Sequence, residues 1–221
     1  GIRDLVRSRG LGDVYKRQLF TLLIATRGLV AGSEQILAAR VAWALGPYQY
    51  QVALLPGARE IEVKGGLGFG VTNTVAKLLA SNPAVRRIRL NSGGGALSEG
   101  VHLRELIIEH GLDTYSSREC SSACVSAFIG GRFRYLKRGA RMGFHLPRNW
   151  EPLATGPVSG LYAAELGYFQ QRGVPDWFLN NWIRSGQKFW FPTEFQLQRA
   201  GIVSFLRGAP PDLARNALQN K

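Results

Sequence analysis

The chain has 221 residues, enough for one domain with a sizeable core plus short extensions. With 45% hydrophobic residues, five Trp, eleven Phe and 27 Gly, the composition is that of a folded mixed α/β protein and lies far from the disordered class. The net charge of +13 speeds encounter with anionic partners. However, Arg86, Arg87, Arg89, Arg132, Arg134, Lys137 and Arg138 are scattered, with no recognition helix, zinc spacing or aromatic RNA-binding signature beside them, so nucleic-acid binding is not expected.

Residues 1–18 are basic and punctuated by glycine, without helical or strand period, and read as an appended, non-native or disordered leader. Residues 19–46 read as an apolar helical segment. The run Leu19–Ala31, broken by Arg27 and Gly28, is shorter than the ~20 residues of a membrane-spanning helix. It reads either as the remainder of a membrane anchor, with the domain beyond it outside the cytoplasm, or as an amphipathic helix pair packed on the domain or a neighbouring subunit.

A single domain over residues 47–207 follows, with a polar tail at 208–221. Gln49–Leu55 and Ile61–Val63 read as strands, the first ending at the Pro56-Gly57 turn. Val71, Val75, Leu78 and Leu79 recur at helical spacing after a glycine-rich turn. Ile88–Leu90 is a third strand. It runs into Asn91-Ser92-Gly93-Gly94-Gly95 and a helix from Ala96 to His110, which Gly111 stops. A short strand over Leu112–Tyr115 precedes a small-residue helix opened by Ser122. Phe133–Leu136 and Arg141–Phe144 read as a strand pair joined through Gly139, and Leu161–Gln171, Trp177–Ile183 and Glu194–Ala200 as helices. Alternating strands and helices imply parallel strands with crossover helices.

Four features carry chemistry. A glycine run between strand and helix presents backbone N–H groups where negative charge is stabilised, as either a phosphate cradle or an oxyanion hole; no P-loop lysine or dinucleotide spacing accompanies it. Ser122 suits a nucleophile, although Ser121 or Ser122 would equally serve as a helix N-cap. His145 ends an apolar strand and is the one histidine that follows the serine helix. The other two, His102 and His110, read as a helix-face residue and a structural residue in a last helical turn. Cys120 and Cys124 flank Ser122 and are too few for a disulfide framework or an all-thiolate zinc site. They read as two small buried side chains, since a bridge within one helical turn would close a tiny loop and add little.

In this order, the glycine run, serine helix and strand-end histidine resemble the proteolytic subunit of Clp proteases, in the Clp/crotonase superfamily, from about Ile61 to Val203. The family's Asn-Ser-Pro-Gly-Gly is matched by Asn91-Ser92-Gly93-Gly94-Gly95, with Gly93 in place of the proline. Its Ala-Ser-Met-Gly-Ala falls on Ser121-Ser122-Ala123-Cys124-Val125, and its Met-Ile-His-Gln-Pro on Gly143-Phe144-His145-Leu146-Pro147. The resemblance implies an α/β fold with a stacked ββα superhelical core and an N-terminal helical extension. It implies a serine-type endopeptidase or related hydrolase with Ser122 as nucleophile, His145 as base, and the amides of Gly95 and Ala123 as oxyanion hole. A peptide or protein substrate, a homo-oligomer assembled through the helix after the glycine run, and no metal or organic cofactor follow from the same resemblance. The Cys-x-Ser-Ala-Cys and Gly-Phe-His variants are similar to a membrane-associated or periplasmic branch, which implies an extracytoplasmic domain with possible membrane association, a cytoplasmic location staying open.

The family's third triad member, an Asp ahead of the segment matched by Ala200-Gly201-Ile202-Val203, has no counterpart in Ser185–Trp190. Asp176 and Glu194 bracket that stretch and are candidates to orient His145, as are Gln187 and a backbone carbonyl. Three other readings stay open: a crotonase-type acyl-CoA enzyme using the same two amides, a catalytically impaired scaffold at the membrane, and a serine-lysine dyad through Lys137 or Lys188.

Overall fold

Ile61, Val63, Ile88 and Leu90 alternate with polar residues along two short segments, and all four are fully buried. Such a period of two places one face of each strand on a core. The structure, a computed structural model, describes residues 49–147 and 157–207, all within the unit Ala44–Lys221. The expectations for residues 1–18, 19–46 and 208–221 lie outside the described residues.

In chain order the elements are β1 (Tyr50–Leu54), β2 (Glu60–Gly65), α1 (Val71–Ser81), β3 (Arg87–Asn91), α2 (Leu97–Glu109), β4 (Asp113–Ser116), β5 (Glu119–Ser121), α3 (Ala123–Phe128), β6 (Arg134–Lys137), β7 (Arg141–Gly143), α4 (Pro157–Gln171), α5 (Asp176–Ser185), α6 (Glu194–Arg199) and β8 (Phe205–Arg207). A six-stranded sheet runs β1-β2-β3-β4-β6-β8, antiparallel between β1 and β2 and parallel elsewhere. This is a mixed α/β fold on a mostly parallel sheet, as alternating strand and helix patterns require.

A second, two-stranded parallel sheet pairs β5 with β7. It corrects one expectation from the sequence: Phe133–Leu136 and Arg141–Phe144 do not form a pair. The chain turns at Gly139 (φ 80°), so β6 stays in the main sheet between β4 and β8 while β7 leaves it to meet β5. The small sheet joins the large one where the Ser121 amide donates to the Ser92 carbonyl (2.9 Å) and the Ser92 amide to the Glu119 carbonyl (2.8 Å). The end of β3 is thereby tied to the residue before Ser122.

Close backbone contact sets the layer between sheet and helices. A Cβ on Gly100 in α2 would stand 2.3 Å from the Ala123 carbonyl oxygen, so only glycine lets α2 lie this close to the start of α3. Three ion pairs fix the outer elements. Glu60 on β2 receives Arg87 at 2.6 Å and Arg89 at 2.8 Å, and Glu165 on α4 receives Arg104 on α2 at 2.6 Å, the latter pair almost fully buried. Arg104 also stacks over the Tyr168 ring, 3.7 Å from its centroid.

Candidate active site

The Ser122 turn is built by three neighbouring segments. The Ser122 amide donates to the Gly143 carbonyl at 2.8 Å, and its backbone is held at φ 55°, ψ −129°, a conformation L-residues other than glycine rarely adopt. Such a residue stores about 1–3 kcal/mol of strain, which persists only where surrounding structure imposes it. Ser122 occupies the N-cap position of α3, yet its side chain makes no capping bond. Its hydroxyl is turned instead to His145, with Oγ 2.7 Å from Nε2.

The glycine run supplies the facing wall. Gly94 (φ 104°) packs directly on Ser122, and its amide donates to Ser92 Oγ at 3.1 Å. A Cβ on Gly95 (φ 152°) would stand 2.4 Å from the Leu67 carbonyl oxygen. The bridge to Leu67 uses the Gly94 carbonyl (2.7 Å) and the Ala96 amide (2.9 Å), which leaves the Gly95 amide outside it. Ala123 is the first residue of α3, where an amide has no intrahelical acceptor. Gly95 and Ala123 line the same cleft as Ser122 and His145. Gly93, where the family has proline, is exposed with open space around its Cβ position, so this departure leaves the packing undisturbed.

His145 follows β7, and its main chain is held from three sides. The neighbouring Phe144 exchanges backbone bonds with Trp190 (2.9 and 2.8 Å) and stacks edge-on against Phe178 and Trp182. The His145 carbonyl accepts from the Tyr162 hydroxyl (2.6 Å) and from Trp182 Nε1 (3.1 Å), while the Leu146 amide donates to the Gly186 carbonyl (2.6 Å). The imidazole ring packs against Phe189 at 4.4 Å between centroids.

His145 Nδ1 lies 2.9 Å from the Leu146 carbonyl oxygen. A carbonyl only accepts, so Nδ1 carries the proton, and in the neutral ring Nε2 is the lone-pair nitrogen that accepts the hydrogen bond from the Ser122 hydroxyl. Burial pushes the imidazole below its ordinary value, while the bond to the Leu146 carbonyl pulls the other way. The neutral ring is therefore the prevailing form at neutral pH. Together these contacts have the geometry for general-base activation of a hydroxyl.

Of the side chains considered as orienters, Asp176 is exposed in the first turn of α5 and Gln187 is exposed in the loop after it. Glu194 accepts from the Gly139 amide at 2.6 Å at the start of α6. The partner at Nδ1 is the Leu146 carbonyl. Lys137 and Lys188 are both exposed, and it is His145 that meets the Ser122 hydroxyl. His102 is exposed on α2, and His110 at its C-cap bonds the Leu106 carbonyl through Nδ1 (3.1 Å). Among the described residues no cluster of His, Cys, Asp and Glu has a metal-binding arrangement.

The cysteine expectation is corrected. Cys120 and Cys124 are both buried, but they form a disulfide across Ser122, with Cα atoms 5.2 Å apart. They do not share a helical turn: Cys120 lies on β5 and Cys124 on α3, and the unusual backbone at Ser122 folds one back onto the other. For so short a loop the cross-link contributes about 2 kcal/mol by chain entropy, similar in size to the strain it encloses.

Sequence reasoning also missed Tyr162, Trp182 and Phe189, which hold His145. The density of aromatics in Trp177–Phe191 was the available signal for Trp182 and Phe189. With Leu97, Ser126 and Pro147, these residues line a cleft of about 880 Å³ that opens on Ser122.

The fold is Clp protease-like. Two solved structures of ClpP1 from Listeria monocytogenes are similar to this chain: the protein itself, with a TM-score of 0.59, and an asparagine-to-aspartate mutant, with a TM-score of 0.55. Each is 13% identical in sequence and covers 69% of this chain, and the match takes in 93% and 92% of the respective ClpP1 chains. No family model matches the sequence, and neither does any curated protein.

Proposed function

We propose that this chain is a serine hydrolase acting on peptide bonds, with Ser122 as nucleophile and His145 as general base. The observation that carries this reading is the 2.7 Å contact between Ser122 Oγ and the lone-pair nitrogen of His145, on the wall of a cleft within a Clp protease-like fold.

His145 Nε2 takes the hydroxyl proton as Ser122 Oγ attacks the scissile carbonyl carbon. The resulting oxyanion is stabilised by the amides of Gly95 and Ala123, donors fixed before the charge develops. The imidazolium then protonates the leaving amine, and water, deprotonated by His145, releases the acyl group from Ser122. The Leu146 carbonyl fills the place usually held by an Asp: it selects the tautomer and orients the ring. A carbonyl bears no full charge, so it stabilises the imidazolium less than a carboxylate does, and a slow enzyme is expected.

The buried Cys120–Cys124 disulfide favours an extracytoplasmic location, since disulfides persist in oxidising compartments. Membrane attachment through residues 19–46 and assembly into a homo-oligomer belong to the same proposal and rest on the sequence resemblance. Among the described residues no helix is long and apolar enough to cross a membrane.

The test is hydrolysis of an unfolded protein and of short fluorogenic peptides by the oxidised full chain. Cleavage that disappears in Ser122→Ala is the expected result. A folded, oxidised chain that cleaves neither substrate, or a Ser122→Ala chain that cleaves as well as the parent, contradicts the proposal.

A further inference from the structure

We propose that the Cys120–Cys124 disulfide is a positioning element for the Ser122 turn, so that acylation of Ser122 is fast in the oxidised chain and slow in the dithiol form. This inference rests on the serine-hydrolase reading and concerns control of the same site.

The bridge encloses the proposed nucleophile with one residue, Ser121 or Ala123, between it and each cysteine. On the strand side, Ser121 and Ser122 are fixed by their amide bonds to Ser92 and Gly143. On the helix side, the usual device is missing. A serine at the N-cap ordinarily ties down the first turn with its hydroxyl, but the Ser122 hydroxyl is committed to His145, and α3 is only six residues long. Besides the bond from the Val125 amide to the Ser122 carbonyl (2.9 Å), the covalent link from β5 to Cys124 joins the two sides. It therefore bears on the Ser122 hydroxyl, which must stay within hydrogen-bond reach of His145, and on the Ala123 amide, which must face the oxyanion. Both tolerate displacement of only about 0.5 Å.

Reduction by a dithiol proceeds by attack of its thiolate on one sulfur of the bridge, giving a mixed disulfide that its second thiolate resolves. Cys120 and Cys124 gain two electrons and two protons and become thiols, while the reagent becomes a cyclic disulfide. Released from the bridge, the start of α3 is expected to relax away from the strained backbone at Ser122.

The test measures inactivation of the full chain by a fluorophosphonate over a range of probe concentrations, before and after reduction with dithiothreitol and again after reoxidation. The thiols are counted by alkylation and mass. Because a buried bridge reacts slowly with reductants, the Cys120→Ala/Cys124→Ala double variant is measured in parallel. The expected result is a maximal rate lower by about ten- to a hundredfold in the dithiol form and the double variant, with the half-saturating probe concentration little changed, and recovery on reoxidation. A merely structural bridge would not separate the two parameters in this way. A chain with two counted thiols, or a folded double variant, labelled at the oxidised rate overturns the proposal. If the oxidised chain is not labelled at all, the hydrolase reading is what has failed. Hydrogen exchange at residues 120–125 then decides the positioning role, with faster exchange after reduction supporting it and equal exchange overturning it.

Discussion

Gly94 packs so closely on Ser122 that a Cβ there would stand 2.6 Å from the serine Cβ and 3.1 Å from its hydroxyl oxygen. Gly94→Ala has no room unless the Ser122 turn moves, and φ 104° is itself strained for alanine. The variant is expected to lose about 1–3 kcal/mol of stability and at least about tenfold in Ser122 acylation. Denaturant unfolding and inactivation kinetics on the same sample check both. Gly93→Ala, at an open position, is expected to be close to the parent in each.

Because burial lowers the His145 pKa and no carboxylate among the described residues contacts the ring, the base stays unprotonated to lower pH than a free imidazole does. The acylation rate should rise with pH along a limb whose midpoint lies below the ordinary value of about 6.5, and be flat from about pH 7 to 8. A midpoint above 7, as a carboxylate-paired imidazole would give, contradicts the assigned environment. The same shift acts on stability. The unfolded chain protonates this histidine more readily than the folded one, so its contribution is present above the unfolded value and is lost as pH falls towards the folded one.

Tyr162 and Trp182 donate to the His145 carbonyl from α4 and α5. Tyr162→Phe removes one of the two donors while keeping the ring. A loss of about two- to tenfold in kcat with little change in KM is expected, because the bond acts on the position of the base. Trp182→Phe also removes packing against Phe144 and Phe169, so it should cost stability as well, which a Tm comparison of the two variants reads.

Away from the site, Glu165→Ala leaves the buried Arg104 guanidinium without its carboxylate. Breaking a buried pair from one side costs about 3–5 kcal/mol. A chemical-denaturation midpoint within error of the parent would show that the Arg104–Tyr168 stack alone holds the helices together.

The features that were legible in the sequence are those a local backbone requirement writes into residue types. The glycines at 93–95, the small residues around Ser122 and a histidine at a strand end each reflect one turn or one strand terminus, and their order carried the fold resemblance. Contacts between distant segments were not legible. β5 is three residues long and exists through its pairing with β7, so Glu119–Ser121 showed no strand period. For the same reason β6 and β7 looked like partners, and a Cys120–Cys124 bridge looked like a helical turn. A main-chain carbonyl at His145 Nδ1 was among the candidates the sequence offered, but which residue supplies it depends on the local turn and was not legible. Tyr162 and Trp182 reach the histidine from 17 and 37 residues away.

The most direct measurement is the location of a fluorophosphonate adduct on the oxidised full chain by peptide mass analysis. One adduct per chain on Ser122, absent in Ser122→Ala and formed at least about 10³-fold more slowly in His145→Ala, is the predicted result. A folded chain that stays unmodified, or one modified at any other residue, contradicts the central claim that the hydroxyl and imidazole 2.7 Å apart act together.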